Sequence, residues 1–582
     1  MINDKLVQKV FYSYLAMSIL TMVVATVGSL VDGIVIGQML GETCVSAFGL
    51  TSPISLLISV IAGVFSTGGS ASCSLYMGRG DEAGVKRNFT VAMFMISILA
   101  VIFTLVLVVG KEQIAILLGA QDELLPLTMD YIYGIGIGVI PTMLTQVIMI
   151  YLQLANKSKL AFASVIGMTV TNVTLDVYFA AGLQLGMFGM GLATSISYAV
   201  ALLICCVCFW DKNCKLRFVK LSGGLKEALD IVVTGLPSAL KIFSTFRVVI
   251  LNHLLLIIGG AVAVSALTVQ NNINQLLCSL TLGVGRTAML ISGIFFGERD
   301  SKMLEKTLRV SMKCGLLLSS MLSVAVIVFA KNLVGLFLHG SEETMELAVR
   351  SLRFFALSIP FALICIVLLN YYQCTKNLLM ANLISIGHNF AFVILVALSC
   401  SPFLGTDAVW IAFLCAELLT IALAYVMIRY KTGKWAKSWQ DMLLVSDEFS
   451  PSPERVLDIS LTNNMEQVME LSVRIHEFCL KHTDNKEKVG KLALCIEEIV
   501  GNIVKYGFKD RKQHSIDIRI IVQEDDILLR IRDDGVSFNP IQYDDENQNA
   551  IGETIGIRLI RKSAKEMNYH AAIGLNNLTI LI

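Results

Sequence analysis

The amino-acid sequence predicts a polytopic α-helical membrane protein with about twelve transmembrane helices in two six-helix repeats, followed by a C-terminal α/β sandwich. Apolar residues make up 55% of the chain and charged residues only 16%, a balance that soluble proteins rarely have. Apolar segments long enough to cross a bilayer follow one another as far as Tyr430. Strand-like and helix-like patterns alternate after that point, so a separate soluble domain is expected.

The apolar segments form two groups with a polar break between them. They lie at 11–37, 50–77, 89–110, 127–155, 160–181 and 187–210, and then at 228–258, 265–296, 310–330, 349–373, 378–400 and 403–428. This order predicts a first lobe at 1–210, a loop at 211–227, a second lobe at 228–430, a linker at 431–455 and a domain at 456–582.

Basic residues lie mainly in the loops on one side of the predicted helices. They include Lys5, Lys9, Arg79, Lys157, Arg299, Lys376 and Arg429. By the positive-inside rule, both termini are expected in the cytoplasm, in a multi-pass protein of the cytoplasmic (inner) membrane. The net charge of +1, with basic residues spread over many loops, gives no reason to expect nucleic acid as a partner.

Several short motifs recur at one constant spacing across the polar break. The stretch MGRGD, which ends at Asp81, is matched by FGERD, which ends at Asp300, and Pro141 is matched by Pro360, each 219 residues later. Several matches at one offset indicate that the two lobes are duplicated copies. Two such repeats around a central cavity form the scaffold of an alternating-access carrier.

Two carboxylates stand inside apolar segments of the first lobe. Asp32 interrupts the first segment, where an ionisable group costs on the order of 2–3 kcal/mol and usually has a function. Asn172 and Asp176 are four residues apart and therefore share one helix face. The corresponding second-lobe positions hold Leu251 and Leu395, so the ionisable centre belongs to the first lobe alone. Two acids and an amide suit either a sodium ion or a shared proton.

The runs LVDGIVIGQMLG and NVTLDVYFAAGLQLGMFGMGLATSIS, with the RGD loop, resemble the multidrug and toxic compound extrusion (MATE) transporters over about residues 1–430. The resemblance implies a cation-coupled antiporter that expels amphipathic, often cationic compounds through the bilayer. It also implies a first-lobe site for Na+ or H+, formed by Asp32, Asn172, Asp176 and Thr194.

Other polar residues fall within the second-lobe segments. Some MATE members place a coupling acid in the seventh helix, where this chain has Lys241 and Arg247, and this difference favours coupling in the first lobe. His253, His388 and Glu417 either line a second-lobe cavity or serve as polar contacts between helices.

The C-terminal domain contains polar residues in an order that suits nucleotide binding. Glu498 and Asn502 share one helix face, so an acid that can orient a hydroxyl or water lies one turn from an amide that can bind magnesium. Asp533 and Gly535 follow a strand, where an acid can accept the adenine amino group. Gly556 begins a predicted helix at about 556–568, and a helix N-terminus suits phosphate.

The stretches EEIVGNIVKYGF, DDGVSFNP, IGIRLIRK and NNLTILI resemble the nucleotide-binding boxes of GHKL ATPases, in particular anti-sigma-factor-type serine kinases. The resemblance implies ATP and Mg2+ as cofactors. It assigns Glu498 as catalytic base, Asn502 as magnesium ligand, Asp533 and Gly535 to the adenine pocket, Gly556 to the phosphate lid and Thr579 to a late adenine-side contact. The lid departs from the pattern at Glu553-Thr554, where Gly-Gly is common and a carboxylate would repel phosphate.

The two resemblances together imply a Na+- or H+-coupled exporter of amphipathic or cationic drugs or toxic metabolites, with a cytoplasmic ATP-binding regulatory or serine-kinase domain. A protein regulator phosphorylated on serine is the implied partner of that domain. ATP is not expected to drive transport, because the sequence has no GxxxxGK[ST] loop. A membrane-anchored signalling kinase whose transporter half is a sensor, and a lipid or glycan-precursor flippase, are the alternatives.

Overall fold

The computed structural model describes residues 5–211, 214–220, 224–336, 342–445, 449, 453–508, 513–541 and 560–582. The first-lobe helices are α1 (Lys5–Val35), α2 (Glu42–Gly78), α3 (Glu82–Val109), α4 (Lys111–Leu117), α5 (Leu124–Ile137), α6 (Val139–Leu154), α7 (Ser158–Val177) and α8 (Gly186–Cys206). The second-lobe helices are α9 (Gly224–Ala239), α10 (Phe243–Gly297), α11 (Ser301–Val328), α12 (Ala330–Gly335), α13 (Glu342–Cys374), α14 (Leu378–Ile386), α15 (Phe392–Leu404) and α16 (Asp407–Thr432).

Within the described residues, 10 helical stretches are long and apolar enough to cross a membrane, or 11 if the bent pair α5 and α6 counts as one span. One of the stretches, Gly224–Gly297, is 74 residues long. Gly260 interrupts it with φ 65° and ψ −163°, values that glycine adopts readily. The interruption divides the stretch near the predicted boundary between segments 228–258 and 265–296, which agrees with about twelve helices in all.

The two lobes contact each other along α1, α2 and α10. The Thr26 and Ser279 hydroxyls are 2.8 Å apart, and the Thr287 hydroxyl donates to Ser18 over 3.3 Å. Gly78 packs so closely on α10 that a Cβ atom there would lie 2.0 Å from the Ile294 carbonyl oxygen. The two lobes are therefore in contact from the middle of these helices to the end at which Gly78 lies.

The C-terminal domain, here called the tail domain, is a five-stranded antiparallel sheet with two helices on one face. Its strands are β1 (Val456–Thr462), β2 (Ser515–Val522), β3 (Ile527–Asp533), β4 (Glu566–Ala572) and β5 (Leu575–Leu581), in the order β1-β2-β3-β5-β4, and its helices are α17 (Met465–Leu480) and α18 (Lys486–Tyr506). Alternate residues such as Ile518, Leu529 and Ile580 form an apolar core with the helices.

The helix predicted at about 556–568 ends earlier than expected. Its described helical residues end at 563, and β4 begins at Glu566 because that segment pairs along its whole length with β5. The segment 431–455, predicted as a linker, packs on α13 in its middle part. The Tyr371 hydroxyl donates to the Leu443 carbonyl oxygen over 3.0 Å, and Leu443 is fully buried.

The other sheet face carries charged residues and lies against the membrane helices, at what we call their tail-side end. Arg532 forms ion pairs with Glu298 and, over 2.8 Å, with Asp300, both in the loop between α10 and α11. Arg519 also pairs with Asp300, and Arg530 lies 3.7 Å from it. The two carboxylates are almost completely buried, so these contacts fix the tail domain to the second lobe.

The electrostatics of this contact predict how it responds to pH. Burial by itself raises the pKa of Glu298, but Arg532, His570 and Arg530 outweigh it and lower the pKa to about 2. A carboxylate with a lowered pKa contributes stability above its ordinary pKa of 4.5 and loses it only as the pH falls toward about 2.

We therefore expect Glu298 to stay charged at neutral pH, and its contribution to the attachment of the tail domain to be lost as the pH falls below about 4.5. Protease protection of the α10–α11 loop, followed as the pH is lowered, measures the attachment. The Glu298→Gln variant is the comparison, since it removes one of the two buried carboxylates of this contact and should respond less to acid. Release of the tail domain near neutral pH would contradict the role of Glu298.

Candidate functional site

The first-lobe site forms where the second halves of α1 and α7 meet. Asp32 of α1 lies next to Asp176 and Asn172 of α7, and these two residues are 0% and 6% exposed. Both helices continue into π-helical turns, Ile36–Leu40 and Tyr178–Gly182, an irregularity that is frequent at functional sites. The fold thus brings together three polar residues that stand within apolar segments of the sequence.

Thr194 of α8 lies at the edge of this site, and Tyr131 of α5 connects it to the carboxylates. The Tyr131 side chain lies within hydrogen-bonding reach of Thr194 and near both carboxylates. The Thr194 hydroxyl also donates to the Met190 carbonyl oxygen, 3.2 Å away. Tyr131 is a site residue that sequence reasoning missed, although a tyrosine in an apolar helix needs a polar partner and could have been identified on that ground.

Several polar atoms of the site are buried without a hydrogen-bond donor or acceptor among the described residues. They are both carboxylate oxygens of Asp176, Oδ1 of Asp32 and Nδ2 of Asn172. Buried polar atoms are nearly always partnered, and a buried charge is costly unless it is neutralised. An exchangeable cation bound between the carboxylates, or a proton shared by them, would satisfy the oxygens. The residues present therefore fit either ion.

The second lobe holds a different polar cluster. The His388 Nδ1 atom lies 2.7 and 2.8 Å from the two Glu417 carboxylate oxygens. His388 is in the π-helical turn Gly387–Ala391, and Cys365 completes a group whose ligand atoms lie within 4.8 Å of one another. The pair joins the α14–α15 region to α16 as a polar helix contact, whereas the His253 side chain is exposed.

In the tail domain, Glu498 and Asn502 lie on one face of α18, as predicted. The Asn502 Nδ2 atom donates to the Glu498 carboxylate over 3.4 Å. This orientation leaves the amide oxygen, the atom that magnesium prefers, to bind a cation. Both side chains are half-buried, which suits a site that a nucleotide can reach.

Asp533 lies at the end of β3 on the helix-bearing side of the sheet. Its Oδ1 atom accepts hydrogen bonds of 2.8 Å from the Gly535 backbone N–H and from the Asn576 side chain. Burial raises the pKa of Asp533 above its usual value. A buried carboxylate that already accepts an amide N–H fits the amino edge of adenine.

One of the predicted nucleotide residues, Thr579, is not brought to Asp533. Thr579 pairs in register with Arg530 and so lies on the opposite face of the sheet. Asn576 is on the Asp533 side instead, and sequence reasoning missed it within NNLTILI because the strand register was unknown. Gly556, like Glu553-Thr554, lies outside the described residues.

Comparisons with family models match both parts of the chain. The MatE model matches residues 18–178 and 237–398, more than half of the chain. The model for the histidine kinase-like ATPase domain matches residues 461–582.

Curated relatives match the transmembrane part. The chain is 26% identical over 423 residues to the multidrug export protein MepA of Staphylococcus aureus, which covers 71% of this chain and 92% of that protein. It is 23% identical over 266 residues to the probable multidrug resistance protein NorM of Photorhabdus laumondii, and this match spans 44% of this chain and 58% of that protein.

Solved structures share the fold of the transmembrane part. A multidrug resistance MATE family transporter of the MOP superfamily in an outward-facing conformation has a TM-score of 0.68 and 20% identity, covering 73% of this chain and 95% of that one. A MOP superfamily transporter from Pyrococcus furiosus, described as having a binding pocket of reversed polarity, has a TM-score of 0.68 and 21% identity, with the same coverage.

The unpartnered oxygens of the first-lobe site predict that a cation stabilises the folded protein. At a concentration about 100 times its dissociation constant, a bound ion adds about 2.7 kcal/mol to the free energy of unfolding. Thermal unfolding in a sodium series, at two pH values, measures this. We expect sodium or acid to raise the melting temperature of the wild type, and Asp176→Asn to abolish the rise.

The second-lobe variant Glu417→Gln is the matched control, since it removes a buried carboxylate outside the proposed ion site. It should keep the ion-dependent rise. An Asp176→Asn protein that still responds like the wild type would show that the ion binds elsewhere.

Proposed function

This chain belongs to the MATE family of membrane transporters, and we propose that it is a Na+- or H+-coupled antiporter that exports amphipathic or cationic small molecules. The observation that carries the proposal is the pair of adjacent carboxylates, the half-buried Asp32 and the buried Asp176, of which three buried oxygens lack hydrogen-bond partners among the described residues. The names of the relatives MepA and NorM, which describe multidrug export and resistance, support the substrate class.

The proposed mechanism follows from the cost of leaving this site empty. With no cation or proton, two like charges would face each other in a medium of low dielectric constant, which is unfavourable. Ion binding between Asp32 and Asp176 removes that cost, and ion release restores it. An ion that binds one lobe arrangement better than the other shifts the equilibrium between them, which couples ion movement to transport.

We place the tail-side end in the cytoplasm, with both termini there, and the protein in the cytoplasmic (inner) membrane. The support is the excess of lysine and arginine in the loops at that end. The exported compounds would then enter from the tail side.

The tail domain, a histidine kinase-like ATPase domain by its family match, is proposed to bind ATP with Mg2+ and to regulate the transporter or to phosphorylate serine on a protein partner. Bound MgATP would supply a phosphoryl donor. Asp533 would accept the adenine amino group, the Asn502 amide oxygen would hold the metal, and Glu498 would orient and deprotonate the attacking hydroxyl or water.

Replacing Asp32 tests the coupling site. We expect Asp32→Asn to lower cation-driven efflux by at least about tenfold, because the exchangeable charge is lost. Efflux of a lipophilic cationic dye from vesicles with an imposed sodium or pH gradient measures it. The control Asp407→Asn removes a carboxylate that pairs with Arg350 at the surface and should transport normally. Unchanged efflux by Asp32→Asn would refute the site assignment.

Replacing Glu498 tests the tail chemistry. The Glu498→Ala change should lower phosphate release or transfer by about 100-fold or more, since a general base contributes that much, while nucleotide binding persists. The neighbouring Glu497 is exposed, so Glu497→Ala is a matched control with normal activity expected. Equal activity in both variants would exclude Glu498 as the base.

A further inference from the structure

The turn between β4 and β5 has an unusual residue. Ile573 and Gly574 form a two-residue turn with positive φ values of 50° and 75°. Turns of this kind favour Asn-Gly, and a β-branched residue in the left-handed region is costly. The Ile573 side chain is nevertheless 2% exposed and its neighbour Leu575 is 4% exposed. Such strain persists only where surrounding contacts hold it in place.

Contacts from both lobes surround this hairpin. Ile573 and Leu575 pack into the same apolar cluster as Ile294 and Phe295 at the end of α10. On the first-lobe side, Gly80 approaches the β4 residue Asn568 so closely that a Cβ there would lie 2.9 Å from its amide. The hairpin therefore bridges the tail-side ends of the two lobes.

Further polar contacts hold the hairpin on both sides. The Lys215 ammonium, in the loop after α8, donates to the Ala571 carbonyl oxygen over 3.0 Å. On the second-lobe side, the Asn577 side chain donates to Glu298 over 2.6 Å, and the His570 Nε2 atom lies 3.3 Å from the same carboxylate. The first-lobe counterpart of Glu298, 219 residues earlier, is the exposed Arg79, so the anchor exists in one lobe only.

The same strand also reaches the nucleotide pocket. Leu575 lines a small cavity with Ile294 and Phe295 of α10. Asn576 donates to Asp533, and Asn577 donates to Glu298. An adenine amino group bound at Asp533 would share that carboxylate with Asn576 and the Gly535 N–H. A ligand at Asp533 would thus act on a residue flanked directly by two residues of the interface.

We propose that the β4–β5 hairpin is a latch that keeps the lobes closed at the tail-side end, and that a nucleotide bound at Asp533 loosens it. Alternating access requires the lobes to part at this end, and they cannot do so while the hairpin binds both. The proposal rests on the transport function proposed above and adds the device that regulates it.

Hydrogen exchange on the full-length protein tests the latch directly. The Ile573→Asn variant places a preferred residue in the turn and removes the apolar wedge, so the tail domain should fold normally. We expect amide exchange at residues 571–577 and at the tail-side ends of α2 and α10 to become about tenfold faster, with exchange in the α18 core unchanged. Exchange as slow as in the wild type would overturn the proposal.

A second variant pair tests the polar anchor without changing the hairpin. Glu298→Gln removes the buried charge and should accelerate exchange at the same sites, whereas Arg299→Gln changes an exposed charge in the same loop and should not. Equal exchange rates in the two variants would show that Glu298 does not anchor the latch.

The effect of nucleotide on the latch is measured with MgATP and with a non-hydrolysable analogue. Either should accelerate exchange at 571–577 in the wild type and have no effect in Asp533→Asn. Protection of these residues, instead of acceleration, would mean that nucleotide tightens the hairpin and would overturn the release step.

If dye efflux is absent from the wild type, the transport proposal fails. If efflux is present but Ile573→Asn leaves both efflux and exchange unchanged, the latch alone fails.

Discussion

The burial of carboxylates away from water is the constraint on which this structure depends. A buried carboxylate is costly unless a positive charge or a proton neutralises it. Glu298 and Asp300 receive permanent partners from the arginines of the tail sheet, so they fix two parts of the chain together. Oδ1 of Asp32 and both oxygens of Asp176 have no hydrogen-bond partner among the described residues, which is why an exchangeable ion is proposed there. The same chemistry thus accounts for a fixed contact at one place and for the proposed ion site at the other.

The two lobes are duplicated copies, and the proposed functional residues lie where the copies differ. Asp32 has Leu251 as its counterpart, so the proposed ion site exists once. Arg79 has Glu298 as its counterpart, so the buried Glu298 contact with the tail sheet exists in the second lobe, while Lys9 of the first lobe pairs with Asp534 of the tail domain. Because the hairpin also contacts the first lobe, one domain spans the boundary that a carrier must open.

Much of the fold and part of the site followed from sequence patterns with a direct physical meaning. Helix spans follow from apolar length, and Asp32 stands out because an acid in such a segment is costly. Asn172 and Asp176 were paired correctly because helical spacing places them on one face. Thr579 and Asn576 could not be assigned to sheet faces in the same way, since strand register depends on pairing between distant segments.

The sequence by itself determined the two-lobe membrane architecture, the attached α/β domain and the acids of the first lobe, because these depend on local composition and on spacing within single elements. Only the tertiary structure decided what the alternating arginines of β2 and β3 do. Their pattern is equally that of a solvent-facing sheet, but Arg519 and Arg532 are buried against Asp300, 219 and 232 residues away. Contacts between such distant residues depend on how whole domains pack, which no local pattern encodes.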